Sequence, residues 1–380
     1  MKEVNRYGVN TVLFAAKLFD AKLFAAKLFV SKLFGSKLFG SKLFGSKLFG
    51  SKLFGSVLSG IATIATIATL ATPAHAQPIV LKFGHYGPTA DPVHAGALKF
   101  KEIVEADSKG AIRVDVFPSE QLGAGTKMIE GTQLGTIEIN VSGNPFYGGI
   151  VPEMSALDIP FLFKSPQHAY EVIDGPLGRE LLGKLEAKGM KGLAYWEIGF
   201  RNLTNSKRPI TKPEDLKGLK LRTTPNPLHV EAFKLWGANP TPMAISEVYL
   251  ALQTGTVDGQ ENPTVHIAKN KFQEVQKHMS ITRHAFTAAP MVMNLAKFNS
   301  LSAEQQQLLM RAAAEGAKVE RKMNHDEEAT SLEAIRKAGV QVVENVDTAP
   351  FRALAYDKVR ATYTGKFGDL IINKIDAAAK

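Results

Sequence analysis

The sequence predicts an α/β protein of two lobes tied together by one long helix. Three observations predict it. Short apolar strands alternate with helical stretches between residues 79 and 141. A second unit of the same kind begins near Gly199. A capping box, Ser302-Ala-Glu-Gln305, opens a helical stretch that runs toward Lys337 and stops at Gly339, longer than one compact domain needs.

Each element has its own warrant. Residues 79–83 are an apolar strand, and 84–88 read as a turn beyond it. Residues 94–106 place Ala95, Ala97, Leu98, Ile103 and Val104 at helical spacing. Residues 112–117 alternate and read as a second strand. Residues 128–134 follow as helix and 137–141 as strand, and 192–196 are a further strand. This βαβ rhythm predicts a largely parallel sheet with helices on its faces. In the second unit, Thr211-Lys-Pro-Glu214 fits a capping box with proline in the first turn. Leu219 and Leu221 alternate with Lys220 and Arg222 in a short strand. Residues 246–254 read as helix and end at Gly255, a residue suited to a left-handed C-cap.

The first 76 residues read as an address. Ser-Lys-Leu-Phe-Gly repeats over 31–55, with degenerate copies back to Ala16. A period of five suits neither a helix face nor a strand face. After it, residues 57–72 are uncharged and rich in Ile, Ala and Thr, then come Pro73 and Ala74-His75-Ala76. A basic region, a short apolar run and an Ala-x-Ala site spell a cleavable secretory signal, with cleavage expected after Ala76 and a periplasmic destination. The repeat itself has no physical explanation.

Composition excludes several functions. The 380 residues carry a formal charge of +10, but residues 1–56 hold +8 of it, which leaves +2 after the signal. Such a chain offers no electrostatic footprint for nucleic acid. The absence of cysteine excludes a disulfide scaffold, a thiol nucleophile and a Cys-based metal site. The segment 178–184 approaches a phosphate-binding loop, but Leu185 stands where the metal-binding hydroxyl belongs. The glycines of 123–125 lack the third glycine of a dinucleotide fingerprint. No hydrolase motif is present, and the histidines show no metal-ligand spacing; His278 and His284 are placed on surface helix and turn. No cofactor, metal or catalytic residue is expected.

What remains is polar side chains at strand ends, where open α/β sheets bind ligands. Arg222 ends the strand through Leu221, and its planar fork matches a carboxylate. Arg201 follows the strand-like 192–196. Asn262 lies in the turn after Val257 and both donates and accepts. Each alone also reads as a surface salt bridge or a turn cap.

At these segments the chain resembles a known family. Leu219-Lys-Leu-Arg222, Gly237-Ala-Asn-Pro-Thr-Pro-Met-Ala244, Ser246-Glu-Val-Tyr-Leu-Ala-Leu-Gln-Thr254 and Val257-Asp-Gly-Gln-Glu-Asn-Pro263 look like the signature of TRAP-transporter periplasmic solute-binding proteins of the dicarboxylate-binding type. The likeness extends through Phe117-Pro-Ser-Glu-Gln-Leu-Gly123 and Gly199-Phe-Arg-Asn-Leu-Thr-Asn205 to nearly all of 77–380. It implies the two-lobed periplasmic binding protein fold, with a hinge and a lobe-spanning helix. Lobe I would be 77–198 with 288–327, and lobe II 199–287 with 328–380. It implies a small organic acid in the cleft, its carboxylate on Arg222, with Arg201 and Asn262 assisting, and a membrane permease as partner.

The first lobe would then set specificity through His85 and Tyr86 after the first strand and Asn144 after another. Such groups suit a C4-dicarboxylate, a hydroxy acid or a uronate. Pro225, Ile245 and Gly143 depart from the sialic-acid branch of the family and argue against that ligand. Trp196 and Phe200 read as core side chains before ligand-stacking ones. Two other functions stay open at this point: an enzyme of organic acids on the same scaffold, and a ligand-sensing module for a receptor.

Overall fold

Pairing of Gly84 with Phe117 and Asn140, and of His85 with Val141, carries the first strand past its expected end, so that β1 spans Ile79–His85. The computed structural model describes residues 77–379. The lysine repeat, the apolar run and the cleavage site after Ala76 lie outside the described residues. Among those described, no helix is long and apolar enough to cross a membrane.

The first sheet runs in the order β2-β1-β3-β10-β4. Its strands are β1, β2 (Ile112–Phe117), β3 (Ile139–Val141), β4 (Met190–Phe200) and β10 (Phe286–Asn294). β1 pairs parallel with β2 and β3, whereas β10 is antiparallel to both β3 and β4. The expected parallel sheet therefore carries one reversed strand. Helix α1 (Pro92–Asp107) joins β1 to β2, and α2 (Thr126–Leu134) joins β2 to β3. Helices α3 (Pro166–Ile173) and α4 (Pro176–Gly183) precede β4, and the loop-like glycine segment 178–184 falls largely within α4.

The second sheet runs in the order β11-β9-β5-β8-β6-β7. Its strands are β5 (Asn202–Asn205), β6 (Lys220–Thr223), β7 (Asn239–Pro242), β8 (Gly259–Asn262), β9 (His278–Ser280) and β11 (Gln341–Val343). Here β5 is the reversed strand, antiparallel to β8 and β9. Helix α5 (Pro227–Leu235) joins β6 to β7, α6 (Ile245–Gln253) joins β7 to β8, and α7 (Thr264–Lys269) follows β8. Asp215 closes the turn before β6 by accepting from the backbone N–H groups of Thr211 and Lys212, at 2.8 and 3.1 Å. The acid of that box is thus Asp215 and not Glu214.

The chain passes between the sheets where the reversed strands lie. β4 runs through Arg201 into β5, and β9 returns through 281–285 into β10. The two crossings are bonded to each other: Arg201 N–H donates to Ala285 O at 2.8 Å, and His284 N–H to Arg201 O at 3.2 Å. After α8 (Leu295–Asn299), the third link is α9, Ala303–Lys337, capped as expected by Ser302 and Gln305. Its Leu309, Ala312, Ala313 and Ala317 pack into the core of the first sheet. Its Ile335 packs with Val248, Leu252 and Met279 beside the second. Helices α10 (Ala349–Phe367) and α11 (Leu370–Ala377) complete the chain.

Helix α9 lies unusually close to α1, and glycine makes the approach possible. A Cβ on Gly316 would stand 2.8 Å from the Trp196 ring and 2.9 Å from Gly96 O. The same indole is fully buried and donates its Nε1–H to Ala313 O at 3.0 Å. Neither backbone nor buried ring has room to yield. Gly316→Val is expected to destabilise the fold by about 1–3 kcal/mol or more, measured as a lower urea midpoint. An unchanged midpoint would mean that the two helices separate freely.

Candidate functional site

The strand orders place two switch points opposite each other. In the first sheet, β2 and β3 flank β1, so the residues after β1 and β3 splay apart at their carboxyl ends. In the second sheet, β6 lies between β7 and β8. A crevice at such points is where an open α/β sheet holds a ligand. A cavity lies there, with Tyr86, Ser142 and Ile198 on one side and Arg222, Asn262 and His266 on the other.

Arg222 is brought into this wall by β6. Its side chain is 1 % exposed. Nε and Nη2 both donate to the Met243 carbonyl, at 3.1 and 2.8 Å, and this neutral partner fixes the fork without cancelling its charge. Among the described residues no carboxylate lies within the 4.0 Å of a salt bridge to it. Burial pushes the guanidinium down to about 10, opposed by the Glu261 charge and helped by that of Arg201.

Arg201 lines the same cavity but is already paired. Its Nε and Nη2 donate to the two Glu261 carboxylate oxygens, the second at 2.9 Å. Nη2 also reaches Asn262 Oδ1 at 3.1 Å, and Nη1 reaches Thr287 Oγ1 at 3.3 Å. Glu261 is fully buried. Burial works to raise its carboxyl, but the Arg201 charge and the bonds from His284 and Arg201 outweigh it and hold the group below the carboxylate range. His284, expected on a surface turn, is in fact buried, with Nε2 3.3 Å from Glu261. Asn262 is held by Arg201 and by its own Nδ2, which donates to Gln260 Oε1 at 2.7 Å.

Four of the six expected residues therefore meet at the cavity: Arg222, Arg201, Asn262 and Tyr86. His85 and Asn144 do not. His85 shares a strand face with Leu81 and Phe83, because alternate side chains of a strand point the same way. It is fully buried, its Nε2 lies 3.0 Å from His94 Nδ1, and burial followed by the neighbouring His94 pushes it down to about 3. Asn144 is also fully buried and donates to Met154 O and Asp158 Oδ2, at 2.9 and 2.8 Å. Its neighbours Ser142, Gly143 and Phe146 line the cavity in its place. Trp196 and Phe200 pack in aromatic clusters away from it.

Sequence reasoning missed Glu261, Glu120 and His266. Glu261 stands next to Asn262, but nothing local shows that its side chain turns to Arg201. Glu120 reaches across to the other sheet's side. It accepts from Gly125 N–H at 2.8 Å and from both Ser246 N–H and Oγ–H at the start of α6, at 3.1 and 2.5 Å. A carboxylate suits a helix N-terminus. His266 lies four residues after Asn262, one helical turn beyond a strand end, and that spacing was the available signal.

The chain matches the family described as bacterial extracellular solute-binding protein, family 7 (DctP), over residues 83–366. It is 41% identical over 280 residues to the 2,3-diketo-L-gulonate-binding periplasmic protein YiaO of Escherichia coli K12, covering 74% of this chain and 85% of that protein. It is 35% identical over 309 residues to the C4-dicarboxylate-binding periplasmic protein DctP of Rhodobacter capsulatus, covering 81% and 92%. A crystal structure of a TRAP periplasmic solute-binding protein from Polaromonas sp. JS666, bound to D-erythronate, superposes with a TM-score of 0.77 at 40% identity, covering 79% of this chain and 98% of that one. With three quarters of its length matched and its two sheets, two crossings and long helix in place, the chain belongs to the DctP family of bacterial extracellular solute-binding proteins.

Proposed function

We propose that this protein is the substrate-binding component of a TRAP-type transporter, which closes on a small organic acid and hands it to a membrane permease without altering it. The observation that carries the reading is Arg222, a guanidinium 1 % exposed, fixed by a neutral carbonyl and without a carboxylate partner among the described residues. A buried charge in that state is costly until an anion meets it. The ligands named for the relatives, 2,3-diketo-L-gulonate, C4-dicarboxylates and D-erythronate, have a carboxylate in common. Arg201, Asn262 and Tyr86 would complete the ligand's surroundings.

Lobe I would comprise 77–198 and 288–327, and lobe II 199–287 and 328–380. The crossings at Arg201 and 281–285 support those divisions. Closure would bring both lobes onto one ligand.

A thermal-shift screen of the purified protein, refolded from denaturant to strip any bound ligand, tests the reading against C4-dicarboxylates, hydroxy acids, keto acids, uronates, aldonates and matched neutral sugars. One class of acid should raise the melting temperature by mass action, and Arg222→Ala should abolish the rise. Stabilisation by neutral sugars alone, or a rise undiminished in Arg222→Ala, would overturn it. The periplasmic destination is supported by the periplasmic relatives, and the signal would be its route. N-terminal sequencing of protein from the periplasm should begin at Gln77, and a start inside the lysine repeat would refute cleavage after Ala76.

A further inference from the structure

One side chain in the cavity wall is bonded through one ring nitrogen and unpartnered at the other. His266, on α7, is 2 % exposed, and its Nδ1 lies 2.6 Å from Asp91 Oδ2. Asp91 is itself fully buried, and its other oxygen accepts the Val93 N–H at 3.0 Å as the N-cap of α1. Both carboxylate oxygens are thus acceptors, which puts a ring proton on Nδ1, and in the neutral imidazole the lone pair is then on Nε2. That Nε2 is buried and has no partner among the described residues. Of the residues lining the cavity, His266 alone contributes such an atom. Its neighbours are committed elsewhere: Asn262 to Arg201 and Gln260, Glu120 to Gly125 and Ser246. The Tyr86 ring, 5.6 Å away between centroids, supports the imidazole from the side.

A ring aimed by a carboxylate reads one proton, as in sites where a second residue fixes the tautomer of the first. Asp91 belongs to the β1–α1 connection of the first sheet and His266 to the helix after β8 of the second, so this orientation is set only when the two sides meet. We propose that His266, oriented by Asp91, is the hydroxyl-reading residue of the cavity. Its Nε2 accepts a hydrogen bond from a hydroxyl of the ligand whose carboxylate Arg222 holds. The cavity therefore selects hydroxylated acids over their unsubstituted counterparts. The inference rests on the carboxylate reading of Arg222 and adds the substrate class to it.

Isothermal titration tests it with D-erythronate, galactonate and galacturonate as hydroxylated probes and butanoate, hexanoate and succinate as unsubstituted ones. The unmodified protein should bind at least one hydroxylated acid about 10-fold or more tighter than its counterpart. His266→Ala should weaken that acid by about 10- to 100-fold, the loss of one buried hydrogen bond, and leave the unsubstituted acid within about threefold. Asp91→Asn keeps the α1 cap but turns a donor toward Nδ1, which moves the ring proton to Nε2. Because a ligand hydroxyl accepts as well as donates, Asp91→Asn should change which hydroxylated acid binds tightest and not abolish the preference, an effect that a packing role would not produce. His266→Gln, whose amide oxygen accepts, should restore part of the preference and serves also if His266→Ala fails to fold. Equal weakening of both acid types, a hydroxyl preference that survives His266→Ala, an order of hydroxylated acids unchanged in Asp91→Asn, or a His266-dependent preference for succinate would overturn the inference. If binding still collapses in Arg222→Ala, only the His266 role has failed. If the unmodified protein binds none of the hydroxylated acids, this inference falls, and the carboxylate reading falls with it only if the thermal-shift screen finds no acid either.

Discussion

Arg201→Ala is expected to cost about 3–5 kcal/mol of folding free energy, the largest effect of any single substitution in the site. The reason is Glu261. With Arg201 present, this fully buried carboxylate has a two-pronged cationic partner and is held below its ordinary range. Without it, only His284 remains at hydrogen-bond distance, and that imidazole is itself pushed down by burial. The pH dependence supplies an independent check. In the parent protein the folded Glu261 has a lower pKa than the unfolded one, whose ordinary value is 4.5. Its contribution is therefore fully present above that value and declines as acid protonates the unfolded chain first. In Arg201→Ala, burial dominates and raises the folded value, so the variant's penalty should shrink as pH falls. Urea unfolding at several pH values measures both. A penalty below about 1 kcal/mol, or one that does not vary with pH, would show that water reaches Glu261.

Arg222 should behave in the opposite way. Its guanidinium is as buried as that of Arg201, but the described residues give it no counter-charge. Arg222→Met removes a desolvated cation at similar length, and the unliganded protein should be no less stable than the parent. Affinity for the acid found in the screen should fall by at least about 100-fold, because the ligand carboxylate then enters the cavity unpaired. Arg222→Lys should fall between the two, since a single ammonium replaces the fork. Loss of unliganded stability together with full retention of affinity would exchange the roles assigned to the two arginines.

The two arginines also show how far sequence carries. Both sit at strand ends, and spacing finds both. Spacing does not tell which one the fold already satisfies, because Glu261 lies 60 positions from Arg201 and meets it only through the β5–β8 pairing. The elements that were legible are those with one wet face. α9 announces itself by its cap and length, and β2 by its alternation. β10 was not legible: all nine of its residues are buried on both faces, so it has no period to read. The same loss of contrast explains His85, whose polar ring sits on the buried face of β1 beside Phe83. Asp91 caps α1 ahead of residue 94, where helical spacing begins to show, and its second bond, to His266, spans 175 positions and belongs to tertiary structure alone.

The two bonded crossings and α9 also determine what kind of motion the molecule permits. Two adjacent strands joined by Arg201 N–H to Ala285 O and His284 N–H to Arg201 O behave as a hinge pin, stiff to twisting and soft to bending across it. A helix anchored in both cores, at Ala313 and at Ile335, ties the halves a third time and resists rotation about the remaining axes. Arg201 sits on one of these crossings, bonded to both Glu261 and Asn262. Groups further from the axis travel most, and the grip of Glu120 on the start of α6 must open before they can part. Any change in the angle between the two sheets would therefore have to break or remake the Glu120 bonds to α6.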